Sequence, residues 1–326
     1  MTLHTAAAIM EEKMKILVTG GSGMVGYALQ KVVKEKKRPN EEWIFISSKD
    51  ADLREMHETR AIFEKYMPTH VIHLAAIVGG VFKNMKHTCD ILLTNQRINL
   101  NVYQVCKEIK VKKLVSCLST CVFPDKITYP ITESMLHDGP PHPSNFGYSF
   151  AKRSIDAMNK CYRRQYGCPF VSVIPTSIYG PNDIFSVEDA HVIPGLINKV
   201  RMCKSVNTPL VVWGTGKPLR QFIFSYDLAK LVMWAIREYD EEENIFLSVD
   251  EEDEISIREL VQIIVEEYGF KGEVVFDDTK TDGQYKKTVS TAKLRKYLPD
   301  FKFTPIREGI RETIQWFEEN YDIARI

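Results

Sequence analysis

A chain of 326 residues, 44% of them hydrophobic, has material for roughly two cored units rather than one minimal domain. Lys+Arg and Asp+Glu number 43 each, so the overall charge points to neither nucleic acid nor an anionic membrane surface as a partner. Seven cysteines (Cys89, Cys106, Cys117, Cys121, Cys161, Cys168 and Cys203) are an odd number without paired spacing. They argue against a zinc ribbon or a disulfide-rich secreted scaffold, and reduced thiols in a cytoplasmic, metal-free protein are expected.

The opening stretch MTLHTAAAIMEEK lacks the basic start and the apolar length of a signal peptide, so residues 1–13 are expected to form a loose tail. No run approaches the roughly 20 apolar residues of a membrane span. From Lys15 onward, short β-rich runs alternate with amphipathic helical stretches: KILVT, a helix over 24–37, WIFIS, a helix over 54–66, HVIHLAA, a helix over 90–109, and KLVSCLS. A helix over 147–166 and the strand FVSVIP continue the series. Short apolar strands separated by helices imply right-handed crossovers, hence a doubly wound α/β domain with a parallel sheet covered on both faces.

Beyond FVSVIP the loops lengthen and become richer in Pro and Gly (YGPND, WGTGKP). Strands near 210–213 and 273–276 and helices near 191–204, 256–269 and 306–321 suggest a smaller mixed α/β lobe. The expected division is 14–176 for the dinucleotide-binding domain, with 227–249 returning to it, and 177–226 plus 250–326 for the substrate lobe. The acidic runs at 240–243 and 250–254 read as solvated surface.

Directly after the first strand, Thr19 is followed by Gly20-Gly21-Ser22-Gly23-Met24-Val25-Gly26 at the opening of a helix. Glycines serve a tight turn, close backbone approach to a pyrophosphate, and close helix–strand packing, while the helix start offers free N–H groups to phosphate. At the end of the second strand stand Ser47-Ser48-Lys49, where an NAD site would usually carry a carboxylate for the ribose hydroxyl. Two hydroxyls and a cation suit a 2′-phosphate, which favours NADP(H) over NAD(H); Lys49 taken alone is equally an ordinary surface lysine. Asp52 lies just downstream, within reach of an adenine, and Leu74-Ala75-Ala76 end the third strand beside the expected cofactor path.

In YSFAK, Tyr148 and Lys152 stand four apart, on one face of a helix. A phenol with an ordinary pKa near 10 transfers protons poorly at neutral pH unless a nearby cation favours its phenolate. Ser119, at the end of the fourth strand, supplies a hydroxyl that can hold a substrate carbonyl together with Tyr148.

TGGSGMVG, HLAA, the strand-end serine and YSFAK resemble the extended short-chain dehydrogenase/reductases that act on nucleotide sugars. SCLSTCVFPDK, GPPHPSNFGYSFAKR, VIPTSIYGPND, HVIPGLI, VWGTGKPLRQF and DGQYKK narrow the match to the GDP-L-fucose synthase family, from about Lys15 to the C-terminus. That resemblance implies a bifunctional enzyme acting on a GDP-sugar. It epimerises carbons 3 and 5 of GDP-4-keto-6-deoxymannose through enolates held by Tyr148 and Ser119, then reduces the ketone with NADPH. It carries the extra acid and base onto Cys121 and His191, with the order of their roles open, and gives His191 a further place against the cofactor. If the strand end stays extended, period-two alternation aims Ser119 and Cys121 the same way.

The resemblance also places the substrate against Lys199, Trp213, Arg220 and Asp282, and the cofactor against Lys152 and Pro175-Thr176-Ser177-Ile178. It further implies a homodimer built on the helices near 90–109 and 147–166. Two rival readings are weighed. A related nucleotide-sugar 4,6-dehydratase would carry acidic residues after Ser119, where Thr120-Cys121-Val122 stand, and a 4-epimerase would suit an acidic residue after the second strand. A non-catalytic module sensing NADP would be favoured by loss of Tyr148, Lys152 or Ser119, all of which are present.

Overall fold

The computed structural model describes residues 12–280 and 282–326. The tail expected over 1–13 therefore lies, up to residue 11, outside the described residues. Six parallel strands form the central sheet: β1 (Met14–Thr19), β2 (Glu41–Ile46), β3 (His70–His73), β4 (Lys113–Cys117), β5 (Phe170–Pro175) and β10 (Ile245–Leu247). Their spatial order is β2-β1-β3-β4-β5-β10. The crossovers carry α1 (Met24–Lys36), α2 (Met56–Tyr66), α3 (Val81–Lys86), α4 (Thr88–Glu108) and α5 (Phe146–Tyr166). The chain is thus a doubly wound parallel α/β fold. Its switch point lies between β1 and β3, where ligands of open α/β sheets bind.

Period two in the strands sorts their side chains onto two faces. Leu17, Val71, Leu114 and Phe170 pack with Ile62 and Phe63 of α2, Val102 and Tyr103 of α4, and Ile155 of α5. Their neighbours Ile16, Ile72, Val115 and Val171 point the other way, onto Leu29 and Val33 of α1 and onto α7 (Ser225–Glu238) through Leu228, Val232 and Ile236. A sheet buried on both faces needs strands that are apolar throughout, which is how KILVT and FVSVIP read.

After β5 come the short strand β6 (Ser177–Tyr179), α6 (Val192–Val206), β7 (Leu210–Trp213), β8 (Leu219–Arg220) and β9 (Phe222–Phe224). After β10 follow β11 (Ile255–Ser256), α8 (Ile257–Tyr268), β12 (Val274–Asp277), α9 (Ala292–Tyr297) and α10 (Ile306–Glu319). Three two-stranded sheets form here: β6 with β9 and β7 with β12 are parallel, β8 with β11 antiparallel. Phe185, Ile197, Leu210, Phe224, Ile264 and Phe317 make a separate apolar cluster. The start of α8 is set by a capping box, Ser256 with Glu259, and its end by Gly269 in the left-handed region.

Two local expectations change. β4 ends at Cys117, and residues 120–122 form a 3-10 turn instead of extended strand. The Ser119 hydroxyl accepts from the Cys121 amide at 3.4 Å, offering the backbone a turn in place of a ladder. Similarly β3 ends at His73, so Leu74, Ala75 and Ala76 lie just beyond the strand. There the Ala75 amide turns to the Thr19 hydroxyl at 3.2 Å.

Candidate active site

Three crowded glycines build the turn after β1. Gly20 adopts φ +71°, and a Cβ there would meet the Ala75 backbone nitrogen at 2.8 Å; at Gly26 it would meet the carbonyls of Gly21 and Gly20 at 2.5 and 2.6 Å. Gly21 abuts Phe45. Gly23 differs: a Cβ would meet only the Gly20 carbonyl at 3.3 Å, and no side chain caps the start of α1. The open helix start carries unfilled N–H groups and a partial positive charge, and so fits a dinucleotide pyrophosphate. From across the crevice, Asn182 Nδ2 donates to Ser22 O at 3.1 Å and steadies the loop.

At the end of β2, the Ser47 amide and hydroxyl both donate to Asp50, at 2.8 and 2.9 Å, and hold its carboxyl below its ordinary pKa. Sequence reasoning overlooked this anion; with one oxygen bound to Ser47, it leaves Lys49 as the exposed cation of the turn. Asp52 is engaged by Arg54 through Nε at 2.9 Å and Nη2 at 2.5 Å.

Tyr148 and Lys152 lie in the first two turns of α5. Lys152 Nζ donates to the Cys117 carbonyl at 2.8 Å and stands 5.9 Å from the Tyr148 ring centre. Burial pushes the Tyr148 phenol well up, reinforced by Cys121 and Cys117, and pushes the Lys152 ammonium down. The resting phenol is therefore protonated, the form that donates a hydrogen bond to an oxyanion.

The same helix grips the 3-10 turn that carries the thiol. Ser149 Oγ donates to the Cys121 carbonyl at 2.8 Å, and Arg153 Nε donates to Val122 O at 2.9 Å. Neither residue was singled out from sequence, since a serine and an arginine on a helix carry no distinctive pattern. Lys287 is a further cation whose electrostatic neighbours are Arg220, Cys121 and Asp125; burial and Arg220 push it down to about 8.

His191 stands exposed at the N-cap of α6. Among the described residues no hydrogen bond joins it to Tyr148 or Cys121, and it reaches toward the site from α6 rather than from α5. Its electrostatic neighbour is Asp183, a 4%-exposed carboxylate whose Oδ2 has no hydrogen-bond partner among the described residues and whose pKa is raised by burial.

The remaining positions fall into two groups. Lys199 Nζ lies 4.4 Å from the Trp213 ring, and that indole is 48% exposed on the outer face of β7. Arg220 is wrapped by the 282–287 loop, with Nη2 donating to Gln284 O at 2.6 Å and Nη1 to Leu219 O at 2.7 Å. Asp282 accepts from the amide and hydroxyl of Thr215, each at 2.7 Å, and thereby staples the loop around Gly214. Thr176 is buried and donates to Ser248 Oγ at 3.1 Å, while Pro175 closes β5 and Ser177 and Ile178 enter β6.

A profile of the NAD dependent epimerase/dehydratase family matches residues 16–247. A GDP-L-fucose synthase of Dictyostelium discoideum is 55% identical over 96% of this chain and 98% of its own length. A probable GDP-L-fucose synthase of Drosophila melanogaster is 50% identical over 95% and 99%. Among solved structures, a GDP-L-fucose synthetase of Naegleria fowleri bound to NADP superposes with a TM-score of 0.93 at 49% identity, covering 97% of this chain and 96% of that one.

Proposed function

Since the chain belongs to the NAD dependent epimerase/dehydratase family, and within it to the GDP-L-fucose synthases, we propose that the α5 cluster runs both halves of that activity. The activity is the conversion of GDP-4-keto-6-deoxymannose to GDP-L-fucose, with NADPH as cofactor. One observation carries the assignment: a single helix holds Tyr148, anchors Lys152 on the Cys117 carbonyl at 2.8 Å, and binds the Cys121 carbonyl at 2.8 Å through Ser149.

Carbons 3 and 5 of the substrate flank the ketone at carbon 4, so loss of either proton gives an enolate on the same oxygen. Tyr148 and Ser119 donate hydrogen bonds to that oxygen, and the high-lying phenol keeps its proton while doing so. Cys121 and His191 are assigned to remove and return the carbon-bound protons, one from each face of the sugar. NADPH, when bound, supplies the hydride for carbon 4. Tyr148 then gives its proton to the ketone oxygen, and Lys152 steadies the phenolate that remains.

The glycine turn Gly20–Gly26 with Ser22, Met24 and Val25, the Ser47–Lys49 turn, Asp52, Leu74–Ala76 and Pro175–Ile178 are assigned to the cofactor. Lys199, Trp213, Arg220 and Asp282 are assigned to the GDP-sugar, Asp282 also shaping the loop beside it through Thr215. The division into 14–176 with 227–249, against 177–226 with 250–326, is supported by β10 pairing with β5 and by the separate apolar cluster. A homodimer through α4 and α5 is supported by Leu93, Leu100 and Phe146, which are exposed on those helices; sedimentation as a monomer at micromolar concentration would count against it. No helix among the described residues is long and apolar enough to cross a membrane, and a cytoplasmic location is proposed.

The test of function is NADPH absorbance with GDP-4-keto-6-deoxymannose as substrate. Consumption of one NADPH per GDP-L-fucose formed is expected, and folded protein that consumed none would overturn the assignment.

A further inference from the structure

Beneath the glycine turn and the reacting helix runs a line of buried polar groups that the reaction above does not use. The Ala75 amide donates to Thr19 Oγ1 at 3.2 Å, and that hydroxyl lies 2.8 Å from His73 Nδ1. His73 Nε2 lies 3.1 Å from Asn99 Oδ1, and Asn99 Nδ2 donates to the Ala151 carbonyl at 3.2 Å. Thr19, His73 and Asn99 are each at most 1% exposed.

The donor direction follows from the carbonyl end. Ala151 O can only accept, so the amide nitrogen of Asn99 faces it and the amide oxygen faces His73. An amide oxygen also only accepts, so His73 Nε2 carries the hydrogen. Burial, reinforced by the charge of Lys152, pushes His73 down to about 3 against the pull of Asn99, so the ring is neutral and Nδ1 accepts from Thr19. Every group then has one assigned role.

The last link is not needed to satisfy the backbone. Ser154 Oγ already donates to Ala151 O at 2.8 Å, so Asn99 adds a restraint to a carbonyl that is paired without it. That carbonyl belongs to the peptide directly before Lys152. At the other end, Ala75 is the residue on which Gly20 sits too closely for any Cβ. The line therefore joins the floor of the cofactor turn to the helix that aims Tyr148 and Lys152.

We propose that His73 is a positioning residue for the reduction: a neutral, Nε2-protonated imidazole that ties the Gly20–Ala75 floor through Asn99 to the peptide preceding Lys152. The inference rests on the assignment of Tyr148 and Lys152 to reduction. His73 touches neither substrate nor hydride and acts through the placement of the helix.

Two measurements test it on the full-length protein. With 15N-histidine labelling and NADP present, long-range 1H–15N spectra assign His73 by the signal lost in His73→Gln. The expected pattern is the neutral Nε2–H tautomer, unchanged from pH 8 to pH 5; an imidazolium or the Nδ1–H tautomer in that range would overturn the proposal. In steady-state kinetics, His73→Phe and Asn99→Leu should each lower kcat at least about tenfold, because small misplacement of reacting groups is costly, with KM for the GDP-sugar within about twofold of the parent. The double variant should be no worse than the poorer single, as expected of two links in one line. Unchanged kcat in either folded variant, or losses that multiply, would refute the coupling. If one variant fails to fold, the other and the spectrum of the parent protein still decide. Parent protein that oxidises no NADPH with the keto-sugar would defeat the functional assignment instead, while the spectrum reports the ring separately.

Discussion

Tyr148 and Lys152 were legible as a pair because four residues along a helix make one turn, and no distant part of the chain is needed to see it. Replacing Tyr148 with Phe removes only the hydroxyl that donates to the keto oxygen. Reduction should fall by at least about a hundredfold, as for loss of one oxyanion donor, while NADPH titration of the variant gives nearly parental affinity. Weakened cofactor binding as the main effect would contradict the assignment. Cys121→Ser should cut solvent-deuterium incorporation at carbons 3 and 5, read by mass spectrometry of the sugar; full exchange would remove Cys121 as an acid–base group. Other site features were hidden from sequence for a physical reason. Ser119 and Cys121 suggest a common direction only in a strand, and a serine hydroxyl that caps a turn abolishes that periodicity. His73 reads as one more strand residue, because its partners lie 54 and 26 positions away.

At the scale of elements, seven helices (α1, α2, α4, α5, α6, α8 and α10) and the five strands up to β5 were readable from period and punctuation, whereas α3, α7 and α9 were not. The three-residue strands β6 and β9 were not, being too short to show a period. The approach of α4 to α5 carries no sequence signal either, because a lone glycine does not name its distant partner. A Cβ on Gly147 would stand 2.1 Å from the Thr88 carbonyl, so the first turn of α5 meets the start of α4 with no room for a side chain. Gly147→Ala should therefore force the helices apart just before Tyr148. A loss of about 2 kcal/mol in urea unfolding is expected from such overpacking, with kcat lowered alongside. Unaltered stability would mean that the helices yield there without strain.

Across the whole molecule, β2 and α7 are locked by an ion pair joining residues 196 apart: Arg237 Nε meets Glu41 Oε1 at 2.6 Å, with the carboxylate side chain fully buried. Burial alone would raise the Glu41 pKa, but Arg237, the Arg38 amide and Trp43 outweigh it and hold it below its ordinary value. A lowered carboxyl pKa contributes stability that is present above the unfolded value near 4.3 and is lost as pH falls through the folded one. Glu41→Ala should accordingly cost about 3 kcal/mol at pH 7, because it strands a buried guanidinium. The stability gap between variant and parent should shrink as pH falls below the unfolded carboxyl value and through the lowered folded one; a constant gap on acidification would show that lost packing, not charge, is at work. The parallel sheet has a related long-range dependence, since β10 pairs with β5 only through residues 245–247. During synthesis, which proceeds from the N-terminus, the first five strands emerge well before their sixth. Until Leu247 clears the ribosome, the outer edge of β5 offers unpaired N–H and C=O groups to any passing strand. The nascent chain thus has an interval of exposure set by its own strand order, during which a holding chaperone would be most useful.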